Sequence, residues 1–243
     1  LVFGNILGGT LAFQSTGSPL DGIDNKTPTA FKDAEGMTGS INDVSGANGD
    51  FGIRYTLADV AGSGFKLDYN YVPVHGTGDA TGDEGVSGAA YGNEDAHDIT
   101  LTGSVPGVDG LSVGVGYSRK NYNLATGNNK REDATVYATY AVGPVTVGYQ
   151  VGANSAQGAG AASYKNTYMG ISYAVSDDVS VSYNNTESRK LSSGHLTQDW
   201  DSFSLSYSMG GMTWNIADSD CTNCSYSAGR KIDETTVSLG IAF

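Results

Sequence analysis

The stretch that decides the fold is "TYAVGPVTVGYQV", residues 139–151. Val145, Val147, Tyr149 and Val151 alternate with Thr146, Gly148 and Gln150. A period of two marks a strand with one apolar face. The stretch returns as "SYAVSDDVSVSYNN" (172–185) and "SYSMGGMTWNIA" (206–217). Their first tyrosines, Tyr140, Tyr173 and Tyr207, stand 33 and 34 residues apart. A period of this length also suits helix-pair repeats. Those need apolar residues every three or four positions, and glycine with β-branched residues disfavours helix. Each repeat therefore predicts a hairpin: a strand, a tight turn, a strand, then a longer polar loop.

Extended along the chain, the pattern predicts twelve strands, at about 1–5, 50–58, 64–74, 96–105, 110–119, 132–142, 144–153, 166–175, 178–187, 200–209, 211–218 and 234–243. Most have the length that crosses a bilayer at a tilt. Short connections such as "GP" (143–144) and "GG" (210–211) alternate with long polar ones at 75–95, 120–131, 154–165, 188–199 and 219–233. Short turns on one side and long loops on the other are the outer-membrane barrel arrangement.

The 243 residues include 35 Gly, 15 Tyr and only 5 Pro. Asp and Glu number 26 against 13 Lys and Arg, a formal net charge of −13. That balance argues against nucleic acid as a partner, since phosphates demand basic patches. No apolar run is long enough for a transmembrane helix. A membrane barrel has none, because its strands alternate lipid-facing and lumen-facing residues.

The two faces carry the membrane reading further. One holds Phe51, Ile53, Tyr55 and Leu57, then Leu111, Val113, Val115 and Tyr117, then Met212, Trp214 and Ile216. The other holds Arg54, Lys66, Asp68, Asn70, Thr100, Gln150, Ser182, Asn184 and Ser204. A Lys or Arg facing lipid at the midplane would cost about 2–4 kcal/mol. No strand places a charge at the centre of its apolar face, and Arg119 and Asp201 fall on that face only near the loop end. Its tyrosines fall near the strand ends, where an apolar ring with a polar tip suits the lipid–water boundary. Residues 1–243 thus read as one all-β transmembrane antiparallel barrel. A soluble β-sandwich is the competing fold, but it does not need the strict long–short alternation.

The last strand, "ETTVSLGIAF", ends on the aromatic Phe243. It resembles the C-terminal signature of bacterial outer-membrane barrels, read by their insertion machinery. Residues 6–49 form a predicted loop of 44 residues, a length that tends to be functional. With these features the chain resembles the trimeric general porins of Gram-negative bacteria, and among them the alphaproteobacterial type. The resemblance implies sixteen strands, with the loop after the fifth folded into the lumen. It implies that strands six to sixteen follow residues 1–5, that further strands precede Leu1, and that a secretory leader is removed on maturation. It also implies the outer membrane as location, a homotrimer, and contact with lipid bilayer, lipopolysaccharide and the insertion machinery. The implied activity is passive diffusion of small hydrophilic solutes and ions, with no enzyme chemistry. A substrate-specific channel and a plugged structural or adhesive barrel stand as alternatives.

Carried over residue by residue, the resemblance makes 6–49 a constriction loop lined by Asp21, Asp24, Asp33, Glu35 and Asp43. Arg54, Lys66 and Asp68 become the facing pore wall. Lys26 and Lys32 depart from a purely acidic lining, leaving the loop three charges negative. Within it, "KTPTAFKDAEG" (26–36) suits a short helix, with Thr27 as N-cap and Pro28 at the first position.

Other chemistry is sparse. His75, His97 and His195 match no nucleophile–base motif, which leaves an outer-membrane lipase without its machinery. Cys221 and Cys224 are too few for a closed zinc site and predict a loop disulfide in an oxidising envelope. No cofactor is expected. The acidic run "GDATGDEGVSG" (78–88), with Glu94 and Asp95, offers hard oxygens to Ca²⁺ but lacks EF-hand spacing.

Overall fold

The computed structural model describes residues 1–31, 41–47, 49–73, 75, 92–124, 127–157, 161–192 and 194–242. These residues hold thirteen strands and no α-helix. In chain order the strands are β1 (Val2–Ile6), β2 (Gly9–Thr16), β3 (Gly49–Leu57), β4 (Phe65–Val72), β5 (Gly92–Ser104), β6 (Leu111–Leu124) and β7 (Gly127–Val142). There follow β8 (Val145–Ala156), β9 (Tyr164–Ala174), β10 (Val179–Lys190), β11 (Thr197–Met209), β12 (Met212–Thr222) and β13 (Lys231–Ile241). Their order in the sheet is their order in the chain, with β1 and β13 at its two ends. Neighbours pair antiparallel, as tight hairpins require. The turn joining β11 to β12 has Gly210 at φ 58° and Gly211 at φ 81°, the left-handed pair that matches hairpin twist.

Two expectations are corrected. The strand count is thirteen rather than twelve, because Gly9–Thr16 pairs with both β1 and β3 instead of opening the long loop. The loop therefore starts at residue 17. Gly9 misleads because it reads as loop, yet it serves a close approach: a Cβ there would lie 2.7 Å from the Tyr55 ring. The stretch 120–131 is not a long loop either, since β6 and β7 run through it on both sides of residues 125–126.

Burial is reversed relative to a water-soluble protein. Ile99, Val115, Val147, Phe203, Ile216 and Val237 are 41–60% exposed. Their neighbours on the opposite face are polar, and Asp98, Thr100, Ser118, Gln150, Ser182 and Ser204 are at most 3% exposed. Exposed apolar strand faces of this kind suit hydrocarbon rather than water. Cross-strand rows fit the same solvent: Tyr55 faces Tyr69, and Tyr207 faces Trp214 beside the Gly210–Gly211 turn.

The chain divides into two compact units. The first comprises Leu1–Asn25, Asn42–Val136 and Gly152–Tyr164, and buries Ala47 with Val72 and Ala96. The second comprises Lys26–Ile41, Tyr137–Val151 and Lys165–Phe243. It buries Trp200 against Cys221 and Cys224, with Ile41 and Ile232 packed alongside.

Candidate functional site

In the first unit, both limbs of the long loop lie on the polar face of the strands. Asp98 on β5 joins them. It accepts the Ser18 hydroxyl at 2.6 Å and the Ala47 amide at 2.9 and 3.1 Å. Asn70 on β4 donates to the Ala47 carbonyl at 3.1 Å. Asp21 accepts the Gly46 amide at 2.7 Å, which stitches one limb to the other. Lys120 on β6 donates to the Ser45 carbonyl and hydroxyl and to the Gly46 carbonyl, at 2.8–3.1 Å. On β7, Arg131 holds Asp133 at 2.8–3.0 Å and reaches the Asp43 carbonyl at 2.9 Å. Asp133 accepts the Ser45 amide, and Asn154 on β8 donates to the carbonyls of Asn42 and Asp43. Buried charges persist only when paired or hydrogen-bonded. Here Lys120, Asp98 and Asp133 are each 1% exposed, and loop backbone supplies much of what they bind.

In the second unit, side chains of the polar face hold residues 26–30. Gln150 accepts the Lys26 amide at 2.7 Å, Ser182 the Ala30 amide at 2.8 Å, and Asn184 donates to the Pro28 carbonyl at 2.9 Å. Phe31 buries itself against Ala217. The helix expected from Thr27 and Pro28 is absent over residues 26–31. Ser182 takes the Ala30 amide that the Thr27 hydroxyl would have capped, and Asn184 bonds the Pro28 carbonyl that a helix would have bonded internally, so tertiary context overrides the local capping signal.

The expected site residues fall into four groups. Asp21 and Asp43 point at backbone amides, Gly46 for the first and Val44 for the second, and Asp24 is half-buried. Asp33 and Glu35 lie outside the described residues, as do residues 78–88 and Phe243. Arg54, Lys66 and Asp68 form one cluster on the polar face of β3 and β4. Asp68 sits 3.0 Å from Arg54 and 2.7 Å from Lys66, and accepts the Thr56 hydroxyl. Cys221 and Cys224 form a disulfide, with Cys221 still on β12.

Sequence places the anchoring residues Gln150 and Asn184 on the polar face but gives them no role, and it does not single out Asp98, Lys120, Arg131 or Asp133. One signal was available. "SRK" (118–120) puts Lys120 on the polar face, and "RED" (131–133) puts Arg131 and Asp133 there two residues apart, at positions where a strand would otherwise carry Ser or Thr. Charge there needs a partner, which a neighbouring strand or a chain crossing that face can supply.

A sequence search of curated proteins gives no match. The family model described as Gram-negative porin matches residues 5–214. The chain is a Gram-negative porin. Among solved structures the porin is similar to an anion-selective porin from Comamonas acidovorans, at 12% identity and TM-score 0.70, covering 97% of this chain and 75% of that one. It is similar to the outer membrane channel DcaP of Acinetobacter baumannii, at 10% identity and TM-score 0.63, covering 96% and 70%. It is also similar to outer-membrane expressed OmpT of Vibrio cholerae, at 12% identity and TM-score 0.59, covering 98% and 76%. At such identities the likeness carries the fold. Family membership carries the rest: an outer-membrane channel of a Gram-negative bacterium.

Proposed function

We propose that the strands of this porin belong to a closed barrel of sixteen, and that residues 17–48 constrict its water-filled lumen. Small hydrophilic solutes and ions cross it by passive diffusion. The observation that supports this best is the loop's position on the polar face, held by buried Asp98 and Lys120 while the apolar face stays exposed. Such a loop narrows a passage without plugging it, and its width sets the size limit.

Selectivity follows from which charges remain free. Lys120 and Arg131 are committed to loop carbonyls and Asp133, and Asp68 offsets part of Arg54 and Lys66. The porin is therefore proposed to prefer cations weakly. It is also proposed to assemble as a homotrimer, to be read from the mass of the intact protein in mild detergent.

Planar-bilayer recording tests the channel. The expected outcome is discrete open-channel steps whose size follows bath conductivity. Silence would support a plugged structural barrel. Saturable block by one solute would support a substrate-specific channel.

A further inference from the structure

The polar face of the second unit has glycines where the loop rests. A Cβ built on Gly148 of β8 would lie 2.4 Å from Pro28 Cδ and 3.2 Å from Thr27 Cα. One built on Gly170 of β9 would lie 2.6 Å from Asn184 Nδ2, 2.8 Å from the Pro28 carbonyl oxygen and 3.1 Å from Thr27 Cβ. Contacts under 3.0 Å are essentially never made by real Cβ atoms, so Thr27–Pro28 lies directly on bare strand backbone. Amides grip the same segment from the sides. Gln150, two residues beyond Gly148 on the same face, takes the Lys26 amide, and Asn184 takes the Pro28 carbonyl. The first unit repeats the device at Gly116 of β6, where a Cβ would lie 2.5 Å from Leu20 and 2.8 Å from Ile23.

Glycine inside a strand weakens it and leaves nothing to pack, so it needs a reason. Here the reason is the loop's height above the wall. We propose that Gly148 and Gly170 are positioning residues that seat Thr27–Pro28 against the wall and thereby set the free width of the channel. The inference rests on the channel reading above. A methyl at Gly148 requires the Pro28 ring to retreat by about 1 Å to reach ordinary van der Waals contact. The strand lies behind the methyl, so the ring's way out is towards the lumen. The grips by Gln150, Ser182 and Asn184 keep the segment from swinging clear, so the passage narrows rather than opens.

The test uses Gly148→Ala, Gly148→Val, Pro28→Ala and the double variant Gly148→Val/Pro28→Ala in the full chain. The first readout is unitary conductance, with entry of a graded series of sugars into liposomes. The expected result is lower conductance and slower entry of the larger sugars in both Gly148 variants, recovered when Pro28→Ala removes the opposing ring. The second readout is the distance between spin labels at Lys26 and Tyr173, which should lengthen in Gly148→Ala whether or not the channel conducts. Should Gly148→Val fail to insert, Gly148→Ala with Pro28→Ala is read the same way. Unchanged conductance with an unchanged label distance overturns the proposal. So does a loss that Pro28→Ala leaves in place, since that would be damage to the barrel at large. Silence of the unsubstituted protein overturns the channel reading instead, and the label distance still decides whether glycine seats the loop.

Discussion

Lys120 and Ser45 meet across 75 residues of chain: the ammonium lies 3.0 Å from the serine carbonyl oxygen and 2.8 Å from its hydroxyl. The lysine is 1% exposed. A charge in that position is not screened by water, and its removal leaves loop carbonyls and nearby carboxylates without their cation. Lys120→Met keeps the bulk and removes the charge. The expected cost is about 3–5 kcal/mol, the range for breaking a buried charged network from one side. The check is the urea midpoint of the detergent-folded protein, which should fall. Added protease should also cut more readily near residues 41–47.

The orientation of the strands has its own test. Ile216 is 44% exposed, while Asn215 stands on the other face between Ser206 and Ser238. Spin labels placed singly at these two positions should report different solvents. Dissolved oxygen should relax the label at Ile216 more strongly, and a water-soluble nickel chelate the one at Asn215. Matching accessibilities at both would show the register of β12 to be wrong, because a shift of one residue exchanges the faces.

Much of this architecture was legible because hydrocarbon makes a demand at every second residue. Val145, Val147 and Tyr149 could not alternate with Thr146 and Gln150 for long without declaring two solvents. The polar face makes no such repeated demand. A serine or asparagine there serves equally as wall or as anchor, and its partner lies far along the chain: 124 residues separate Lys26 from Gln150, and 156 separate Pro28 from Asn184. Local signals also misled where distant groups prevailed. Gly9 read as loop because the ring that needs it, Tyr55, lies on another strand. Thr27 and Pro28 read as a helix start because Gln150, Ser182 and Asn184 were out of view. The Arg54–Asp68 pair was nearer to hand. The hairpin of β3 and β4 puts Thr56 opposite Asp68, so Arg54 lies diagonally within reach.

Three carboxylates stand in line across the end of the sheet. Asp201 faces Asp220, and Asp220 faces Asp233. Like charges directly opposite one another destabilise a sheet. Asp220→Asn removes the central charge and gives its neighbours an amide donor. The thermal midpoint of the folded protein should rise at low salt. In about 1 M salt, where screening acts within about 3 Å, most of that gain should vanish. A gain independent of salt would mean that packing, not charge, governs the position.

The Arg54–Asp68–Lys66 cluster predicts how charge on the wall acts on permeating ions. Asp68 is 3% exposed and lies between the two cations, whose side chains remain 26% and 46% exposed. Arg54 therefore meets passing ions with its charge partly offset by Asp68. Arg54→Ser removes that partly offset cation, and cation preference should rise only modestly. Asp68→Asn keeps the volume and the bond to Thr56 while unmasking both cations at once. Selectivity should then move towards anions, and by more than Arg54→Ser moves it the other way. Confined water screens poorly at this range, so the two shifts should outlast moderate salt. The measurement is the reversal potential across a salt gradient for the unsubstituted protein and both variants. Opposite shifts with the larger one from Asp68→Asn place the cluster on the path of the ions. An unmoved potential in Asp68→Asn would place it off that path, and the charges that set selectivity would then have to come from elsewhere on the polar face.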